Sequence, residues 1–296
     1  MSLFLTLICA CGKARIAAHR QLSSGCTTHE AEKLALNEKR KTMISNVLVR
    51  LRPFLLIAVL IAIWQIAIAR HPGQLLPGPW GVVGGIVDLM RHGLLLKYIV
   101  ASLFRVTWGF GLAVVTAIPL GMVIGWYSRA EMALNPLIQI LRPISPLAWI
   151  PITILWFGVG DLSAIFLIFL GSFFPLLLTA MNSVRGVPAV YVNAGRNFGL
   201  RPADLFVRIL YPAAVPQLII GLRITLGIAW LVVVAAEMIA VNSGLGFLIV
   251  DARNAGNRYD LVVAGMVIIG IIGLLLDMGI RSLERVKSFR WSYSED

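Results

Sequence analysis

NAGRNFGLRPADLFVRILYPAAVP, residues Asn193 to Pro216, is the one sizeable run between hydrophobic blocks that reads as ordered amphipathic helix and not as membrane span or short loop. Pro188 can open a helix just ahead of it, because its missing N–H would be unpaired in a first turn anyway. Gly199 supplies a residue free to turn left-handed, which ends that helix. Pro202 then opens a second helix and Pro212 closes it. The expected product is two short helices joined by a tight glycine turn. Phe198, Leu205, Phe206 and Ile209 bring apolar matter to the turn and the second helix, whereas Arg196, Arg201 and Arg208 stay polar. Such a knuckle suits insertion into a partner's groove. A connector lying on a bilayer surface would carry the same pattern.

Composition settles what lies on either side. Of the 296 residues 58% are hydrophobic and 14% charged, with a mean hydropathy of +0.85. A soluble domain has about a quarter of its residues charged, so the chain reads as an all-α integral membrane protein. Its net charge of +12 and pI of about 10.3 fit lysine and arginine gathered on the cytoplasmic side and at anionic lipid. No nucleic-acid-binding pattern accompanies them.

Residues 1–52 read as a basic, disordered cytoplasmic tail, or as a leader before a true start at Met43. Its apolar beginning is too short to span and lacks a preceding basic residue. Cys9, Cys11 and Cys26 are the only cysteines and have no metal-site spacing. Lys39, Arg40, Lys41, Arg50 and Arg52 crowd before the first hydrophobic block and place the N-terminus in the cytoplasm. Residues 53–282 form the transmembrane domain, with six spans at about 54–69, 102–126, 133–159, 162–181, 215–241 and 261–280. A turn at Leu76–Pro79 leads into an external amphipathic stretch reaching Lys97. The third span, with Pro136, Pro143, Pro146 and Pro151, belongs inside the bundle, where protein or water can re-satisfy its broken backbone. Residues 283–296 form a basic tail, and six spans return the C-terminus to the cytoplasm. The same count puts the loop at about 188–212 on that side.

Catalytic signals are missing: there is no G-x-x-x-x-G-K-[ST] phosphate loop and no G-x-S-x-G elbow, and His19, His29, His71 and His92 lie outside the spans. Polar groups at membrane depth are the remaining candidates, since each is costly unless paired or wet. Gln139, Arg142, Ser145, Glu237 and Arg105 are translocation-path candidates. Arg105, Arg223 and Asp277 are expected to snorkel to an interface, while Arg142 and Glu237 either pair structurally or line a path.

The spacing in the opening stretch resembles the cytoplasmic "EAA" loop of ABC-importer permeases: Asn193-Ala194-Gly195, three residues, Gly199, nine residues, Ile209, two residues, Pro212. It departs from that pattern at Asn193, where the family has an acid, and at Gly195, where it has a second alanine, so a charged contact does not carry over to Asn193. Outside the loop, Ser102-Leu103-Phe104-Arg105-Val106, the run Leu141 to Pro151, Ala235-Ala236-Glu237-Met238 and Asn242 to Phe247 resemble the permease subunit of nitrate, sulfonate, taurine and bicarbonate importers. The resemblance implies a type I ABC-importer permease fold with a cytoplasmic coupling-helix loop, in a bacterial inner membrane. It implies that Asn193, Ala194, Gly195, Phe198, Gly199, Leu205, Ile209 and Pro212 meet an ATPase subunit, present in two copies. A second permease copy completes a homodimer, a periplasmic or surface binding protein delivers the solute, and lipid surrounds the bundle. ATP and Mg belong to the ATPase; this chain carries no cofactor of its own and is not itself an enzyme. The alternatives are a secondary transporter or channel driven by an ion gradient, against which inverted repeats and mid-span acids are wanting, and a membrane scaffold.

Overall fold

In hydrocarbon every backbone polar group must find its partner within the protein, and a helix achieves this inside one segment. The computed structural model describes residues 55–70, 77–254 and 256–284, and every regular element among them is helical. The expectations for residues 1–52 and for the C-terminal stretch from residue 285 lie outside the described residues. The chain divides into two units, Met1–Arg70 and His71–Asp296. In the first, α1 (Leu55–Arg70) is an apolar helix roughly 24 Å long by its rise per residue, short of the about 30 Å of a hydrocarbon core.

The second unit runs α2 (Pro79–Arg91), α3 (Leu94–Trp126), α4 (Ser128–Leu141), a 3₁₀ turn (Pro146–Trp149), α5 (Ile150–Phe157), α6 (Asp161–Arg185), α7 (Ala189–Asn197), α8 (Pro202–Leu205), a π turn (Phe206–Leu210), α9 (Tyr211–Ala240), α10 (Leu245–Asn254) and α11 (Tyr259–Glu284). Four stretches are long and apolar enough to cross a membrane: α3, α6, Pro202–Ala240 and α11. The expected third span is two helices bent by 79°. Pro143 and Pro146 each remove a backbone donor, so the helix cannot continue past Leu141. Pairings fix the directions. Arg105 on α3 meets Asp161 on α6, and Gly125 on α3 faces Met181 on α6, so these helices run parallel. The bent pair therefore carries the chain back from one end of the bundle to the other. α9 runs against α6, with the Gly160 amide donating to the Ala240 carbonyl at 3.0 Å. With the bent pair taken as one span the second unit has up to five crossings.

Close approach of α3 and α6 depends on small residues. A Cβ added at Gly109 would lie 2.7 Å from Ile168 Cβ, and one at Gly121 would lie 2.5 Å from the Leu177 carbonyl oxygen. Ala113 and Ala117 between them are fully buried. Since a backbone carbonyl cannot yield as a side chain does, Gly121→Val must part the helices. Such overpacking costs about 1–3 kcal/mol, and thermal unfolding in detergent is expected to shift down accordingly.

Two sequence boundaries need correction. The helix expected to be external ends at Arg91, because Gly93 takes a left-handed φ of 67° and restarts the chain as α3 eight residues ahead of the expected Ser102. Helix α10, between α9 and α11, was not anticipated. At this end Arg258 bonds Asp260 at 2.8 Å and Asp88 at 3.1 Å, tying α2 to the start of α11. Those two carboxylates, Asp260 foremost, push the guanidinium pKa above its ordinary value.

Candidate functional site

The stretch quoted first folds as a knuckle at the end of the bundle away from Arg258. Pro188 caps α7 at its N-terminus, and Tyr191 N–H bonds the Pro188 carbonyl at 3.1 Å. At the other end Leu200 N–H reaches back to the Gly195 carbonyl at 3.1 Å and Gly199 N–H to the Arg196 carbonyl at 2.9 Å. This pair of bonds is a Schellman motif, whose penultimate donor must be left-handed. Gly199 supplies φ 73° there.

The apolar residues of the knuckle divide into two sets. Leu205 and Leu210 are buried with Met122, Ala180 and Val184, and Phe206 meets Trp126 edge to face at 6.4 Å. Ile209 packs against the same cluster. Gly195 is where α7 closes on the second helix, since an added Cβ would sit 2.5 Å from Ile209 Cδ1. The glycine in place of alanine thus gives Ile209 its room. Facing outward are Phe198, 87% exposed at the tip, together with Val190, Tyr191 and Val207. Asn193 and Ala194 are also exposed. The reading that grouped Leu205 and Ile209 with Phe198 as one apolar surface is therefore corrected: they weld the knuckle to the bundle, and Phe198 alone of the three projects.

Pro212 does not end the second helix. Tyr211 N–H bonds the Phe206 carbonyl five residues back, and this wider turn accommodates the proline ring, which would otherwise strike the carbonyl four residues before it. The chain passes from α8 through the π turn into α9 without a break, so the knuckle and the membrane helix are one mechanical piece.

At the opposite end Arg105 is 1% exposed, which overturns its expected snorkelling. Its guanidinium bonds Glu237 at 2.7 Å, Asp161 at 2.6 Å and the Ser243 carbonyl at 2.8 Å, and also donates to Ser243 Oγ. Glu237 is 0% exposed and accepts from Ser102 Oγ and Gly246 N–H, both at 2.9 Å. The network joins α3, α6, α9 and α10. Glu237 is thus a structural partner, and Arg105 with it, not a path lining. Arg223 and Asp277, at the other end, bond each other at 2.5 and 2.8 Å while partly exposed. They meet as a pair instead of snorkelling separately.

The third place is a cavity of about 310 Å³ at the break between α4 and α5. Arg142 lines it, with Trp149, Phe174, Ile228 and Val232 among its walls. Ser145 caps the 3₁₀ turn, its Oγ accepting from Leu147 N–H at 3.4 Å, and Gln139 is exposed and bonds Asn135 at 3.1 Å. Neither lines this cavity. Asp161, Ser102 and Phe174 were missed as site residues. Of these only Asp161 carried a signal, as an acid in the first turn of a helix.

A bundle crossed by apolar helices, with a packed helical knuckle at one end and a cavity at a broken helix, is the build of a membrane transport permease. Residues 117–287 match the model of the binding-protein-dependent transport system inner membrane component. The chain belongs to that family and is an ABC-importer permease of its nitrate, sulfonate and taurine branch. A chain of Methanocaldococcus jannaschii described as an ABC transporter permease protein is 41% identical over 240 residues, covering 79% of this chain and 89% of its own. The nitrate import permease protein of Synechocystis is 39% identical over 79% of this chain and 88% of its own. The taurine transport system permease protein of Escherichia coli is 35% identical over 77% and 86%. In fold, the structure resembles a chain of the MetNI methionine ABC transporter in an inward-facing conformation, at a TM-score of 0.60 and 19% identity over 67% of this chain and 97% of that one. This membership decides against the gradient-driven and scaffold readings. The chain is a multi-pass permease subunit that works with an ATPase and a binding protein.

Proposed function

We propose that two copies of this permease form the translocation pathway of an importer for a small oxyanion or related solute, nitrate or a sulfonate before bicarbonate. Each copy docks through the knuckle from Pro188 to Pro212 on one of two cytoplasmic ATPase subunits, which bind ATP and Mg in place of any site here. Both termini are then cytoplasmic. The observation that carries this reading is the division within the knuckle. Leu205, Ile209 and Leu210 fix it to α3 and α6, while Phe198 projects at 87% exposure into space a partner can fill. Burying such a ring in a socket is worth about 1.5–3 kcal/mol. The unbroken run into α9 then carries a push at Phe198 to the wall of the cavity at Ile228 and Val232. Asn193 lies on the same exposed side, so its contact is a neutral hydrogen bond where the family has a charge.

The test is ATPase activity of the chain co-purified with its partners in lipid nanodiscs, with binding proteins loaded with nitrate, taurine, an alkanesulfonate or bicarbonate. Stimulation of hydrolysis by one loaded binding protein is the expected result. An ATPase that does not co-purify, with uptake driven by an ion gradient alone, would remove the reading.

A further inference from the structure

Helix α2 is roughly 20 Å long by its rise per residue, too short to cross a hydrocarbon core, yet two of its three sides are apolar. Its residues sort by the helical turn. Val82, Gly85 and Leu89 are buried, and this side packs on α11, where a Cβ added at Gly85 would lie 3.1 Å from the Asp260 carbonyl oxygen. Gly84, Asp88 and Arg91 form a polar side, on which Asp88 bonds Arg258. Trp80, Val83, Val87 and Met90 fall within an arc of about 80° on the third, and all four are exposed. Asp260 stands in the first turn of α11, so α2 crosses that helix where its apolar run begins.

We infer that α2 lies in the plane of the bilayer interface at the bundle end opposite the knuckle, with phospholipid acyl chains against Trp80, Val83, Val87 and Met90. A helix with one side on protein, one polar and one apolar is satisfied where protein, water and lipid meet. The stripe continues into Leu94, Leu96 and Val100, the exposed apolar residues with which α3 starts its crossing. The only polar side-chain atom in the stripe is the Trp80 ring N–H, and tryptophan settles at the headgroup level. Four side chains are far fewer than the roughly 20–30 residues a side of a stable protein contact. A binding protein that comes and goes would leave the stripe in water between visits. The inference needs only that α3 and α11 span the bilayer, and it holds whether or not the knuckle meets an ATPase.

The test uses the full complex with Cys9, Cys11 and Cys26 replaced by serine, in nanodiscs of phosphatidylethanolamine and phosphatidylglycerol. A bimane label is placed in turn at Val83→Cys, at Val87→Cys and, on the polar side, at Gly84→Cys, where an added Cβ meets nothing within 4 Å. Phospholipid brominated near the headgroup end of one acyl chain should quench the labels at 83 and 87 by roughly half and the label at 84 much less. Aqueous iodide should quench in the opposite order. Val83→Asp should weaken lipid quenching of the label at 87, because a charge does not stay among acyl chains. Should Val87→Cys not assemble, the label at 83 against that at 84 makes the same comparison. Lipid quenching equal on the two sides, or stronger iodide quenching at 83 and 87, overturns the inference. A disulfide between two copies formed at Val87→Cys, or lipid quenching relieved by a solute-loaded binding protein, gives the stripe to a protein partner and overturns it as well. Neither quencher depends on ATP hydrolysis, so failure of the ATPase coupling would show separately.

Discussion

Gly199→Val is expected to uncouple the transporter while leaving it in the membrane. No atom lies within 4 Å of where a Cβ at this position would be, so the substitution meets no steric obstacle and acts on the backbone alone. The residue must hold φ 73° to complete the Schellman motif. For a β-branched residue this conformation costs about 2 kcal/mol, roughly a thirtyfold bias against the docked turn. ATP-driven uptake should fall by about that factor, with normal membrane levels. Gly199→Asn is the control, because asparagine tolerates the left-handed region and should retain most of the uptake. Loss with both, or with neither, would show that the turn's handedness is not what matters.

Arg105→Ala is expected to act on stability instead. It removes the cation from between Glu237 and Asp161 and leaves Glu237, 0% exposed, with only Ser102 and Gly246 as donors. Breaking a buried pair from one side costs about 3–5 kcal/mol, a large part of the about 5–15 kcal/mol that holds a typical protein folded. The purified variant should unfold in detergent at a temperature lower by roughly 10 °C or more. Asp161→Asn should do much less, because Asp161 is 57% exposed and water can replace it at one side of the guanidinium. Equal losses in the two variants would contradict the central place given to Glu237.

The knuckle was legible in the sequence because its signals are local. Pro188, Gly199 and Pro202 each dictate a backbone state from their own chemistry, and the structure places each where that chemistry requires. Pro212 misled because its clash was judged for an α-helix, and the π turn ahead of it removes the obstacle. The division between Leu205 and Ile209 on one side and Phe198 on the other was out of reach. It depends on which residues of α3 and α6 come beneath the loop, a long-range matter. The same holds for Arg105. Its hydrophobic neighbourhood and distance from the helix end are compatible with snorkelling, and only the fold brings Asp161 and Glu237 to it from 56 and 132 residues away. The proline-rich third span was read as broken and interior, and only the break holds: Ile138 is the one buried residue of α4, the 3₁₀ turn has none, and α5 buries only Ile150 and Thr153. The bend of 79° and the cavity beside it follow from the absent N–H groups of Pro143 and Pro146.

The claim that the knuckle is the ATPase contact can be tested by placing a photo-crosslinking residue at Phe198, with Trp80 at the opposite end of the bundle as the comparison. The account predicts a crosslink to the ATPase subunit from position 198 and none from position 80, with the former changing in yield when ATP is added. No crosslink from position 198 in a complex that hydrolyses ATP, or an equal one from position 80, would contradict it.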